Sequence, residues 1–262
     1  MILGTVLTPL SDENLTLAAQ CGVEGVVVRY PGPRLEDLLS VQERLNRFGL
    51  RLLAIEGDLP IERIKLGTDT NGQDVRAMQQ LIRHMGEAGV PVLCYNFMSG
   101  TDWVRTELSR PERGGAKVTA FRLEDAHQAI SLSSKRERIT ADTISADTLW
   151  KNLEGFLRGV VPVAEEVGVT LAMHPDDPPL PEFLGKARIM NSVEAFERLV
   201  SLVPSSRNAI CFCQGTFAVM GVDIPETIRR LGKHIQYVHF RDATGIPSEF
   251  AETFHDNGPT DM

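Results

Sequence analysis

The stretch Leu171-Ala172-Met173-His174-Pro175-Asp176-Asp177-Pro178-Pro179 decides the reading of the fold. Its first residues form a short apolar run of strand length, and that run ends on a histidine. Two carboxylates and a proline pair follow, so the strand delivers three polar side chains into a stiff loop. Two later apolar runs end in a similar way, Ala209–Cys213 on a thiol and Ile235–Phe240 next to His239. Strands whose ends carry metal-binding atoms point to a sheet with its chemistry gathered at the carboxyl end.

Outward from this stretch the same rhythm fills the chain. The apolar runs are Ile2–Leu7, Gly25–Val28, Arg51–Ile55, Val90–Asn96, Val169–His174, Ala209–Cys213 and Ile235–Phe240. Between them lie amphipathic segments of helical period: Asp12–Cys21, Arg34–Phe48, Asp74–Glu87, Asp142–Val167, Ser192–Leu202 and Pro225–Leu231, several of them followed by a glycine stop. Strands apolar on both faces and alternating with helices predict a parallel sheet covered by helices. Seven such units favour a (β/α)₈ barrel over an open doubly wound sheet, and neither G-x-G-x-x-G nor G-x-x-x-x-G-K-[ST] occurs. We expect one TIM-barrel domain over residues 1–262. With seven strands visible, we expect either an incomplete barrel or, as the favoured reading, a fragment that lacks the last βα unit. A polar insertion at about 99–140 carries Gly114-Gly115 and is too long for a plain βα-loop; a barrel would place it on the C-terminal face.

Composition narrows the function. The 262 residues carry a net charge of −8, which argues against nucleic acid or an anionic membrane as partner. No apolar run is long enough to span a bilayer, and the N-terminus reads as a first strand and not a signal peptide, so a cytoplasmic enzyme is expected. The four cysteines, Cys21, Cys94, Cys211 and Cys213, do not form a disulfide pattern.

His174, Cys213, His239 and Asp261 are 39, 26 and 22 residues apart, each gap about one βα unit. Two imidazoles, a thiolate and a carboxylate suit a borderline divalent ion, and softness alone favours Zn²⁺. Cys211 shares a strand face with Cys213 and would pack one layer deeper. Tyr95, Asn96, Asp102, Trp103 and Arg105 follow the fourth strand with the hydrogen-bonding groups a polyol or sugar acid requires. Arg29 and Glu56 end the second and third strands; Arg241, two residues after His239, suits a substrate carboxylate.

With these residues in view, the chain resembles the metal-dependent mannonate dehydratases of the xylose-isomerase-like TIM-barrel superfamily. The resemblance rests on Ile55-Glu56-Gly57-Asp58-Leu59-Pro60, Cys94-Tyr95-Asn96-Phe97-Met98, Asp102-Trp103-Val104-Arg105-Thr106, His174-Pro175-Asp176-Asp177-Pro178-Pro179, Phe212-Cys213-Gln214-Gly215-Thr216 and Val238-His239-Phe240-Arg241. It implies dehydration of D-mannonate to 2-keto-3-deoxy-D-gluconate in hexuronate breakdown. The implied metal ligands are His174, Cys213, His239 and Asp261. The implied ion is Mn²⁺, with Fe²⁺ second and Zn²⁺ behind both. Tyr95, Asp102, Asp176 and His255 are the candidate acid–base groups. Arg29, Glu56, Asn96, Trp103, Arg105, Asp177 and Arg241 are the candidate substrate contacts. The expected partner is a small sugar acid, and a homo-oligomer is compatible with the reading. Leu180, Ser99-Gly100-Thr101 and Asp242 depart from the family's usual residues, on what we expect to be the substrate side. A sugar isomerase or epimerase of the same superfamily, a dehydratase of another sugar acid, and an inactive sugar-acid sensor are the alternatives.

Overall fold

Seven strands pair in parallel and in chain order: β1 (Gly4–Val6), β2 (Gly25–Val28), β3 (Arg51–Glu56), β4 (Val92–Tyr95), β5 (Thr170–Met173), β6 (Asn208–Cys213) and β7 (Ile235–His239). The structure, a computed structural model, describes residues 1–133 and 143–262. Parallel neighbours require crossovers, and helices supply them: Asp12–Gln20, Leu35–Asn46, Gln73–Glu87, Ala146–Val167, Val193–Leu202 and Ile224–Leu231. Ser11, Ser145, Ser192 and Asp223 cap four of these helices by accepting from backbone N–H groups in the first turn. The expected helix start at Asp142 lies outside the described residues; the helix runs from Ala146. Two short helices, Glu62–Leu66 and Gln214–Val219, were not expected. Each is too brief to show a helical period.

This is the parallel, curled sheet of a TIM barrel. Among the described residues no eighth strand joins β7 to β1, so these two strands are the sheet's edges. The interior strands β2, β5 and β6 are buried along their whole length, whereas β7 is half exposed.

Alternation along each strand sorts the side chains. Leu93, Tyr95, Leu171, Met173, Ile210 and Phe212 face outward into the main core beneath the helices. Cys94, Ala172 and Cys211 face inward and pack together with Tyr237 against them. Continued upward, the same parity brings Glu56, His174, Cys213 and His239 to the inner rim at the carboxyl ends of β3, β5, β6 and β7.

The polar insertion is folded onto this rim. Its strands Glu107–Pro111 and Lys117–Arg122 join the hairpin Asp242–Ile246/Glu249–Thr253, which follows β7, in a four-stranded antiparallel sheet. Beneath it Val104, Phe121, Leu180, Phe183, Val219, Ala243 and Phe250 form a second apolar core. Residues 134–140 of the expected insertion lie outside the described residues. No helix among the described residues is long and apolar enough to cross a membrane.

Candidate metal centre

His174, Cys213 and His239 each present a ligand atom, and these atoms lie within 4.8 Å of one another. His174 Nδ1 is 2.7 Å from the Pro175 carbonyl, which accepts a hydrogen bond from Nδ1–H and leaves Nε2 directed at the site. That Nε2 is 3.1 Å from His239 Nδ1. Two ring lone pairs at this separation repel unless a positive centre, a proton or a metal ion, is shared between them. Cys213 closes the group. Its Sγ accepts from Arg241 Nε at 3.3 Å and from the Thr216 hydroxyl at 3.2 Å. Burial pushes this thiol up, but Arg241 and His174 outweigh burial and hold it well below its ordinary value. A thiolate and two imidazoles, fully or half-buried, fit a divalent ion.

Glu56 is not a free substrate contact. Its Oε2 is 2.9 Å from His239 Nε2 and 3.2 Å from the Tyr237 hydroxyl. Burial would raise this carboxyl, but His239 draws it down to about 2. The carboxylate therefore fixes the proton on Nε2 and directs Nδ1 into the site, as an outer partner of a ligating histidine does. Glu56→Gln keeps the shape but loses the charge. We expect metal affinity, followed by equilibrium dialysis, to fall roughly 10- to 100-fold; unchanged affinity would show that His239 needs no such anchor.

Arg105, Asp177 and Arg241, expected at the substrate, are instead bound to one another. Arg105 grips Asp177 through two bonds of 2.8 and 2.9 Å and reaches Glu252 at 2.7 Å. Arg241 reaches the same two carboxylates at 3.1 and 2.6 Å. Burial acts to raise the Asp177 carboxyl, but the two arginines bring it to about 2. This alternating square ties the covering sheet to the loop after β5 and holds Arg241 against Cys213.

The remaining expected site residues divide. Trp103 packs edge-on to His174, with ring centroids 5.5 Å apart, and carries the Arg29 guanidinium over its face at 5.0 Å. Arg29 also donates to the Glu56 carbonyl at 3.2 Å. Gly57 makes this possible: its φ is +79°, and a Cβ there would lie 2.6 Å from Arg29 Nη1 and 2.9 Å from Trp103. Asn96 and Asp102 bond to each other at 2.8 Å and line a neighbouring cavity of about 360 Å³. Lys65, which the sequence did not single out, donates there to Asn96 Oδ1 at 3.1 Å.

Four expected residues stand apart from the converging ligands. Tyr95 packs edge-on to Phe156 in the outer core, because its neighbour Cys94 takes the inward position, and it also lines the cavity beside Asn96 and Asp102. Asp176 is buried and accepts from the Met190 N–H at 2.7 Å, outside the ligand cluster. His255 is exposed, stacked on Phe240 and 2.7 Å from its carbonyl. Asp261 is exposed and is not among the converging ligands, although Thr260 and Met262 on either side are bonded to Asp242 and Gln214. The three departures from the family's residues serve packing and anchoring here. Leu180 lies in the second core, Ser99 donates to Glu62, Thr101 accepts from Arg188, and Asp242 accepts from Thr260. Tyr237, Thr216 and Glu252 are the further residues around the site that sequence reasoning missed. Tyr237 carried a signal, since it precedes His239 by two on the same strand face, and Thr216 stood in the Phe212–Thr216 string.

Comparison with known proteins gives the family. The family profile of D-mannonate dehydratase (UxuA) matches residues 11–262. The mannonate dehydratase of Oceanobacillus iheyensis is 32% identical over 239 residues, 84% of this chain and 68% of that protein. That of Thermotoga petrophila is 35% identical over 270 residues, 89% of this chain and 74% of that protein. The crystal structure of mannonate dehydratase from Streptococcus suis superposes with a TM-score of 0.87 at 32% identity, covering 100% of this chain and 78% of that one. D-psicose 3-epimerase from Clostridium cellulolyticum, at 12% identity and a TM-score of 0.61 over 91% of this chain and 72% of its own, shares the fold. The chain belongs to the D-mannonate dehydratase family.

Proposed function

We propose that the protein is a metal-dependent hydro-lyase that converts D-mannonate to 2-keto-3-deoxy-D-gluconate. The observation that carries this reading is the convergence of two imidazoles and a thiolate at the ends of β5, β6 and β7, in a chain of this family. His174, Cys213 and His239 would hold the ion, and Mn²⁺ is the ion the family resemblance favours. When bound, it supplies Lewis-acid polarisation of the substrate carboxylate, which eases loss of the C2 proton. The C2 proton and C3 hydroxyl leave as one water, and the resulting enol becomes the 2-keto acid. The antiparallel sheet over the rim limits access of bulk water to the site.

Arg29 is the arginine best placed for the substrate carboxylate. Arg105 and Arg241 spend their forks on Asp177 and Glu252, whereas Arg29 makes one backbone bond and stacks on Trp103. Removing a hydrogen bond to a charged group costs about 1.5–3 kcal/mol. Arg29→Met should therefore lower kcat/KM roughly 10- to 100-fold, with most of the change in KM. An unchanged KM would move the carboxylate elsewhere.

The test of the reaction uses the purified protein carrying this chain, stripped with chelator and resupplied with Mn²⁺. Incubation with D-mannonate should give a product lighter by one water. Isomerisation without mass change on a neutral ketose, and none of this product from mannonate, would overturn the proposal in favour of an epimerase. The 12%-identical epimerase neighbour bears on fold alone and lends that alternative no weight.

A further inference from the structure

Below the rim, the barrel interior holds a second group of donors. Cys94 on β4 and Cys211 on β6 point inward on either side of β5, whose inward residue between them is the small Ala172. Both thiols are fully buried and unbridged. Their sulfurs and a ring nitrogen of His239 lie within 4.8 Å of one another. Glu56, bonded to His239 at 2.9 Å and to the Tyr237 hydroxyl at 3.2 Å, brings negative charge to a further side of this group.

We propose that Cys94, Cys211 and His239 form a second metal position, one side-chain layer beneath the rim, that takes a thiophilic divalent ion such as Zn²⁺ or Cd²⁺. Two thiolates and one imidazole make a softer set than the two imidazoles and one thiolate above, so the lower position selects against Mn²⁺. Binding releases one proton from each thiol to solvent. His239 belongs to both sets. An ion in the lower position therefore withdraws a ligand from the upper one, and this consequence rests on the metal-dependent reading of the rim site. Soft ions then act as inhibitors by displacement within the barrel, without touching the substrate.

The experiment uses the whole chain with Cys21→Ser, which removes the exposed thiol, and Cys213→Ala, which removes the upper thiolate. Loaded with Cd²⁺, this protein should show thiolate-to-cadmium charge-transfer absorption, and X-ray absorption should count two sulfur neighbours per ion. Adding Cys94→Ala and Cys211→Ala together should abolish both signals, and either change alone should reduce the count to one. Alanine already occupies the equivalent inward place on β5, and circular dichroism checks that each variant folds. If the double variant fails to fold, the single variants decide. Cadmium with no sulfur neighbours, or a sulfur count indifferent to Cys94 and Cys211, would overturn the proposal. These readings need no turnover, so failure of the dehydratase reading leaves them intact. In the otherwise unaltered protein, Cys94→Ala/Cys211→Ala should also protect Mn²⁺-dependent turnover from Cd²⁺ at least tenfold.

Discussion

Cys213→Ala is expected to leave a folded protein that has lost its high-affinity metal site and about three orders of magnitude or more in kcat/KM. The thiolate is the anionic member of the converging set, with His174 and His239 as the other two. Its removal leaves two imidazoles 3.1 Å apart and no directly coordinating anion to favour a divalent ion over a proton. A bound ion supplies several kcal/mol of charge stabilisation, and each 1.36 kcal/mol is tenfold in rate. The fold should tolerate the change. Alanine is smaller and apolar, and Arg241 keeps Asp177, Glu252 and Thr216 as partners. Cys213→Ser preserves size and a hydrogen-bonding atom but not the anion, so it should lose metal nearly as completely. Metal content after dialysis, read beside circular dichroism, checks the pair. Retention of a full equivalent of Mn²⁺ by the alanine variant would remove Cys213 from the ligand set.

The parts of this site visible in the sequence are those that one strand encodes by itself. Alternation along Ala209–Cys213 puts Cys211 and Cys213 on one face, nearness to the strand's end chooses Cys213 for the rim, and Cys211 stands in the layer beneath. The same rule applied to Val92–Tyr95 would have turned Tyr95 outward, since Cys94 is the inward residue. Parity, and not hydrogen-bonding chemistry, decides where the Tyr95 ring points. The regular spacing that suggested Asp261 assumed that a helix follows His239. The chain instead forms a hairpin over Asp242–Thr253, so a gap of one βα unit brings no strand end to the rim. The bonds of Arg105 and Arg241 to Asp177 and Glu252 are not legible locally because these partners are distant in sequence. Glu252 meets Arg105 across a sheet that pairs residues 117–122 with 249–253, a contact no local pattern announces. Glu56 was selected correctly as a rim residue, but its role depends on the tautomer of a ring 183 positions away.

The second large effect belongs to that sheet. Asp177→Ala should cost about 3–5 kcal/mol of stability, because it leaves two guanidiniums facing one carboxylate in a largely dry setting. Arg105 is 3% exposed and donates two bonds to Asp177, so solvent has little access to replace them. Glu252 cannot neutralise both arginines. Arg241 retains it at 2.6 Å, while Arg105 keeps a single bond to its other oxygen. The buried pair need not be strongly stabilising in itself, since desolvation offsets much of the Coulomb attraction; what costs is the charge left behind. The double variant Arg105→Met/Asp177→Leu tests this distinction. It removes one cation with one anion and should recover more than half of the loss seen for Asp177→Ala, a coupling on the order of 2 kcal/mol in a double-mutant cycle. Denaturant unfolding at fixed metal concentration supplies the numbers. A loss below about 1 kcal/mol for Asp177→Ala would mean that water reaches the square and the covering sheet is held by its apolar core alone. A loss near the expected size in metal-free protein would show that the sheet is anchored before any ion binds. The loop carrying His174 would then be held in place by Asp177 three residues further on.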